Sequence, residues 1–295
     1  METTPNNGPT ISNGILRALF YLITGFMVCG ILQLVYDNII NRGVYIEISE
    51  NKNISQILLS YFIMKIGLVI CAILFMVLVN REPLVNFGFT WKNYSSHAIA
   101  GFIIGVSIIT VGTIILLFSN NIYLSVVEFN NIDILYSTLL CVVVAFIEEI
   151  SIRGYVLRNL MQGMNKWWAL GLSSLVFAML HLDNTDITII AFVNIFIAGV
   201  LLGVNYLYTK NLWFSIFLHF SWNFFQGTIL GYNVSGINTG KSLFTNTAKG
   251  SNILSGGNFG FEGSVICTIL QIVTIASLIW YYKVRLKNKV VKSVV

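Results

Sequence analysis

Apolar residues run through this chain in long blocks separated by short polar segments. A helix that crosses a bilayer needs about 20 predominantly apolar residues. Six blocks read as spans on that scale: Gly14–Val35, Ile57–Val79, His97–Phe118, Ile134–Ile150, Ile187–Tyr208 and Gly263–Tyr282. Two more, Trp167–His181 and Leu212–Ile229, are shorter or more polar. The pattern predicts an all-α polytopic membrane protein with about eight transmembrane helices. The first block is too long for a removable signal peptide and lacks a small-residue cleavage site.

The polar segments divide the chain. Residues 1–132 hold the first three predicted helices, 133–226 the next four, 227–262 a loop, and 263–295 the last helix with a basic tail. The loop region is rich in Gly, Asn, Ser and Thr, too polar to span, and reads as a long external loop of the kind that forms lids. Its Gly240-Lys241-Ser242 invites a phosphate-loop reading. Gly236 stands one residue too close for GxxxxGK[ST], and no strand is predicted before it, so that reading is dropped. No internal repeat is evident, which argues against a transporter built from inverted repeats.

Composition agrees with the blocks. Of 295 residues, 56% are hydrophobic and 10% charged, against roughly 45–50% and about 25% in soluble domains. A soluble surface needs more ionised side chains than this. A secreted disulfide scaffold, a nucleic-acid-binding domain and a disordered chain are excluded. Cys29, Cys71, Cys141 and Cys267 sit in apolar runs without a CxxC pair, so they read as small buried hydrophobes.

The net charge of +5 has a topological reading. With eight spans and both termini inside, the inner segments carry Arg17, Arg81, Lys92, Arg153, Arg158, Lys166 and Lys210. They also carry the C-terminal Lys283, Arg285, Lys287, Lys289 and Lys292. Arg42, Lys52, Lys241 and Lys249 fall outside. The loops with Glu128 and Asp133, and with Asp183 and Asp186, have no Lys or Arg and also fall outside, as the positive-inside rule expects. Trp167, Trp168, Trp280, Tyr281 and Tyr282 read as aromatic belts at the inner interface. The expected location is an integral membrane protein with both termini cytoplasmic. The Ile- and Asn-rich composition points to an AT-rich bacterial genome, hence a bacterial plasma membrane.

Ionisable side chains within spans are costly and mark function. Here they gather at Glu148-Glu149-xxx-Arg153, at Phe177-xxx-His181 and at His219-xxx-Asn223. Glu149 and Arg153 are i and i+4 with the acid first, the favourable order for a pair on one helix face. Glu148, about 100° around the helix, presents a second carboxylate to another neighbour. His219 and Asn223 share one face, and Phe177 lies one turn before His181. With a turn at Gln162–Asn165, Glu148 and His181 lie ~21 and ~24 Å from it along unbroken helices, at nearly one level. His97 reads as interfacial, and Lys65 as a snorkelling or structurally paired cation. Each motif alone has an ordinary reading: a structural clamp, a satisfied core histidine, interhelical hydrogen-bond glue. Gly101–Gly105 and Gly199–Gly203 each read as an internal packing face or a dimer seam.

The three ordered motifs resemble the CPBP family, which includes type II CAAX prenyl endopeptidases and bacterial bacteriocin-processing and self-immunity proteins. The resemblance covers about Ser137 to Phe225. It implies a conical core bundle and an intramembrane endopeptidase. By analogy, Glu148 and His181 activate a water, with Glu148 as general base. His219 and Asn223 donate to the oxyanion, and Glu149, Arg153 and Phe177 support the site.

Cofactor use stays open. Glu148, His181 and His219 match a His₂Glu zinc set with an open position. The lack of HExxH, and a glutamate already committed as base, favour water activation without a tightly held metal. A CAAX substrate needs a prenylated C-terminal cysteine, so in a bacterium a small peptide or lipidated-peptide precursor is the expected partner, alongside membrane lipid and without nucleic acid. The alternatives are a proton- or ion-coupled transporter and a non-catalytic immunity or scaffold protein. The oligomeric state is left open by the sequence.

Overall fold

The computed structural model describes residues 8–36, 38, 54–127, 130–238, 240 and 242–294. Arg42, Lys52, Glu128 and Lys241 lie outside the described residues, as do the side chains of Lys287, Lys289 and Lys292. The described chain is helical apart from one short two-stranded ladder. In order it runs α1 (Gly14–Val35), α2 (Ile54–Leu74), α3 (Ser95–Phe118), β1 (Ile122–Val126), α4 (Asn131–Glu149), α5 (Arg158–Gly163) and α6 (Lys166–Met179). Then follow α7 (Ile189–Thr209), α8 (Trp213–Asn223), β2 (Phe244–Ala248), α9 (Asn252–Ser255) and α10 (Val265–Val294).

Six stretches among the described residues are long and apolar enough to cross a membrane: Gly14–Val35, Leu58–Val79, Ser95–Phe118, Asn131–Gly163, Ile189–Thr209 and Val265–Arg285. The two shorter predicted helices are present as α6 and as α8 with its extension. Both are shorter than these six.

The fourth span is longer than its apolar block suggests. After Glu149 the backbone continues as a π-helix over Ile150–Leu157 and returns to α-helix in α5. Two more π segments follow α2 (Phe75–Val79) and α8 (Phe224–Ile229). The helices are therefore not unbroken α-helices, as the depth estimate assumed. A π segment widens the turn and frees a local hydrogen bond, and such bulges recur at functional sites. Here two of them directly follow the carboxylates and the His219–Asn223 pair.

Small residues set how closely the helices approach. Gly101 and Gly105 of α3 lie against α8, where an added methyl at Gly101 would meet the Phe214 carbonyl and one at Gly105 the Ser221 hydroxyl. Gly199 and Gly203 of α7 face Ser174 and Leu170 of α6 in the same way. Both GxxxG stretches are thus internal packing faces.

Contacts sort the described loops into two ends. At one end the Leu212 amide donates to the Gly88 carbonyl at 2.9 Å, with Gly88 at φ 110° in the left-handed region. Tyr208 stacks on Tyr282 at 4.4 Å, and Lys166 Nζ lies 4.7 Å from the Tyr208 ring centre. Arg158 pairs with Glu82 at this end. Burial would raise the Glu82 carboxyl, but the hydrogen bonds from Arg158 and Asn86 and the Arg158 charge outweigh it and hold the group below its ordinary value.

Some charges in the topological tally have structural partners instead. Arg17 is 1% exposed, with Nε donating to Asn159 at 2.7 Å and the guanidinium also bonding Gln162 and the Ile11 carbonyl. Arg153 is equally buried. Tyr282 is packed rather than belt-like, whereas Trp168 and Trp280 are exposed.

At the opposite end the Gly/Asn-rich segment is folded. β2 pairs antiparallel with β1, from Ile122 opposite Ala248 to Val126 opposite Phe244. Asn184 and Thr185, in the loop after α6, donate to the Ser235 and Gly236 carbonyls. The 227–262 segment begins as the helical extension of α8 and then forms a roof tied down at several points.

Candidate active site

Glu148 and Glu149 end the regular part of α4, where the π segment begins. Arg153 sits one turn on and donates from Nη1 to Glu149 Oε1 at 2.7 Å. Its Nη2 donates to the Gly199 carbonyl on α7 at 3.0 Å, and its Cζ lies 4.5 Å from the Phe177 ring centre on α6. One buried guanidinium therefore ties α4, α6 and α7 together. The pair neutralises two charges that the membrane interior would otherwise exclude.

The same Glu149 Oε1 accepts from His219 Nδ1 on α8 at 2.9 Å. A carboxylate in contact with an arginine accepts only, so Nδ1 carries the proton. His181 is fixed the same way. It lies just past the end of α6 rather than within it, and its Nδ1 bonds the Phe177 carbonyl at 2.8 Å. A carbonyl also only accepts, so in the neutral ring Nε2 is left with its lone pair. Phe177 packs beside both rings, with centroids 4.8 Å from His181 and 6.2 Å from His219.

Glu148 is held differently. Its Oε1 accepts from the Tyr61 hydroxyl on α2 at 2.6 Å. Its Oε2 is buried without a hydrogen-bond partner among the described residues and stands 3.7 Å from His219 Nε2. That separation is beyond hydrogen-bond length.

These groups line one cavity of about 960 Å³. Glu148, Phe177, His181, His219 and Asn223 all border it, together with Tyr61 and Lys65. Glu149 and Arg153 stand behind it as support. Asn223 is largely buried, and its amide borders the cavity. His97 lies elsewhere, with Nδ1 3.4 Å from Asn205 Nδ2 and 3.5 Å from the Tyr282 hydroxyl.

A metal finds no ready ligand set here. Among the described residues no three His, Cys, Asp or Glu side chains come together to hold an ion, and Glu148, His181 and His219 are no exception. The Nδ1 bonds of both rings leave their Nε2 atoms without a hydrogen bond among the described residues.

Two cavity residues were not singled out from the sequence. Tyr61 had a faint signal, a polar-tipped aromatic one turn before Lys65 within an apolar block. Glu262 is the single acid of the 227–262 segment. Its carboxylate accepts from Trp222 Nε1 at 3.1 Å, Gln226 Nε2 at 3.2 Å and the Ser235 hydroxyl at 2.9 Å. It thus pins the roof to α8 beside the site.

A family model, Type II CAAX prenyl endopeptidase Rce1-like, matches residues 130–225. The matched segment runs from the start of α4 to just beyond α8 and contains all three motifs. It supports a CPBP-family intramembrane protease, with a CAAX-type protease activity at the level of the family. Comparison with curated proteins gives no match.

Proposed function

We propose that this protein is an intramembrane endopeptidase that hydrolyses a peptide bond with a water activated by Glu148 and His181. The observation that carries the reading is the meeting of α4, α6 and α8 side chains on one cavity, with both histidines tied at Nδ1 and Glu148 Oε2 unpartnered.

A water between Glu148 and the His181 lone pair has an acceptor for each proton, which directs its oxygen at the scissile carbonyl. As the new C–O bond forms, Glu148 takes a water proton. His219 and the Asn223 amide donate to the oxyanion. Collapse breaks the C–N bond, and Glu148 returns the proton to the leaving amine. The products are a carboxylic acid and an amine, and no other reactant is consumed. Glu149 holds His219 in register, and Arg153 holds Glu149.

The substrate is a small peptide or lipidated-peptide precursor. The end carrying Arg158, Lys166 and Lys210 faces the cytoplasm, with both termini there, in a bacterial plasma membrane. The positive-inside distribution supports this orientation.

The test uses purified Glu148→Gln, His181→Ala and His219→Ala variants with peptides drawn from a comparison of membrane and secreted fractions of wild-type and Glu148→Gln cells. The reading expects a peptide cleaved only with wild type. Cleavage retained by all three variants overturns it.

A further inference from the structure

We infer that Tyr61 is a positioning residue for Glu148, supplied by a helix outside the segment that matches the family. The inference rests on the peptidase reading and assigns a further part of its site.

Tyr61 lies on α2, which packs along α4. Its hydroxyl donates to Glu148 Oε1 at 2.6 Å, within the short range of a hydrogen bond to an ionised oxygen. A phenol suits this place, because its ring is at home among apolar side chains while its tip supplies one strong donor. The terminal torsion of a glutamate is otherwise broad and roughly two-fold. Tying Oε1 removes that freedom and leaves Oε2 facing His219 Nε2 across 3.7 Å.

The hydroxyl also controls a competing arrangement. Lys65 lies one turn further along α2 and borders the same cavity, yet forms no ion pair with a described residue. A Glu148 carboxylate released from Tyr61 is free to swing toward that ammonium. Direct pairing with Lys65 would turn the base away from His219. The charged and titratable groups that face Glu148 are Lys65 and Tyr61 from α2, His181 beyond α6, His219 from α8, and the Glu149–Arg153 pair of its own helix.

The experiment compares wild type, Tyr61→Phe and Glu148→Gln in two readouts: steady-state cleavage and difference infrared spectra of the full-length protein. Tyr61→Phe keeps the ring and removes only the donor. The expected result is a kcat lowered about tenfold or more with KM within about twofold, as for a group that acts on the reacting carboxylate. The carboxylate band that disappears in Glu148→Gln should shift in Tyr61→Phe.

An unshifted band with unchanged kcat overturns the inference while leaving the peptidase reading intact. Cleavage by Glu148→Gln at the wild-type rate overturns the peptidase reading, and the infrared band still decides the Tyr61–Glu148 bond.

Discussion

Glu149 orients His219: the carboxylate oxygen that receives Arg153 also accepts from the imidazole Nδ1 at 2.9 Å. One atom thus links the structural clamp to the ring that borders the cavity. The motif spacing shows the first relationship, because i and i+4 lie on one helix face. The second runs between residues 70 positions apart.

Glu149→Gln tests that link. The neutral amide leaves buried Arg153 without its ion-pair partner and allows His219 the wrong tautomer. Breaking one side of a buried pair costs ~3–5 kcal/mol. The expected outcome is a clear drop in thermal stability in detergent together with loss of cleavage. Arg153→Lys should fail to restore either, since an ammonium cannot bond Glu149 and the Gly199 carbonyl with a planar fork. Wild-type melting and turnover in Glu149→Gln would refute the arrangement.

Substituting Gly105 should destabilise the fold without altering assembly. An added methyl meets the Ser221 hydroxyl on α8, and overpacking of this kind costs ~1–3 kcal/mol. Melting curves and light scattering of Gly105→Ala in detergent separate the cases. A lower melting temperature at constant mass is expected. A change in mass with no change in melting would restore the dimer-seam reading.

Glu262→Ala should loosen the roof over the cavity. It deprives Trp222, Gln226 and Ser235 of a buried acceptor, and each unsatisfied donor costs ~1–3 kcal/mol. Limited proteolysis should cut within 227–262 faster than in wild type while the helices stay protected. Equal cutting rates would show that the roof is held by its other ties alone.

The Glu82–Arg158 pair predicts a pH dependence of defined sign. The folded Glu82 carboxyl lies below its ordinary value near 4.5, so the folded state binds its proton less readily than the unfolded chain does. Its contribution is fully present above about pH 4.5 and is lost as pH falls through the lower folded value. The group is partly exposed, so the effect is modest, under about 1 kcal/mol. A Glu82→Gln variant should melt below wild type at pH 7, with the difference vanishing in acid.

Much of the architecture was legible from local pattern. Apolar blocks located the helices, because a backbone in lipid must satisfy its own hydrogen bonds and an apolar block long enough does so as a helix. The motif residues Glu148, Glu149, Arg153, His181 and His219 stood out, because a charge or imidazole inside such a block is expensive to place, and Phe177 and Asn223 stood out by their helical spacing from the histidines. Helical spacing alone paired Glu149 with Arg153 and set Phe177 beside His181.

Relations between helices were a different matter, since sequence periodicity states which side of a helix a residue occupies and nothing about the neighbour across from it. Packing brought Tyr61 to Glu148 and assigned both GxxxG stretches to internal faces. Burial removed Arg17 and Arg153 from the topological charges. The β1–β2 ladder and the Glu262 ties turned a polar loop into a fixed roof, through contacts that a residue-by-residue reading of polarity cannot register. The π segments were equally invisible, because an apolar block does not separate a π turn from an α turn. Helix placement and the charged motifs follow from the cost of polar groups in lipid, which each residue carries with it. The bonds that orient Glu148 and His219 exist only after packing brings distant helices within hydrogen-bond reach.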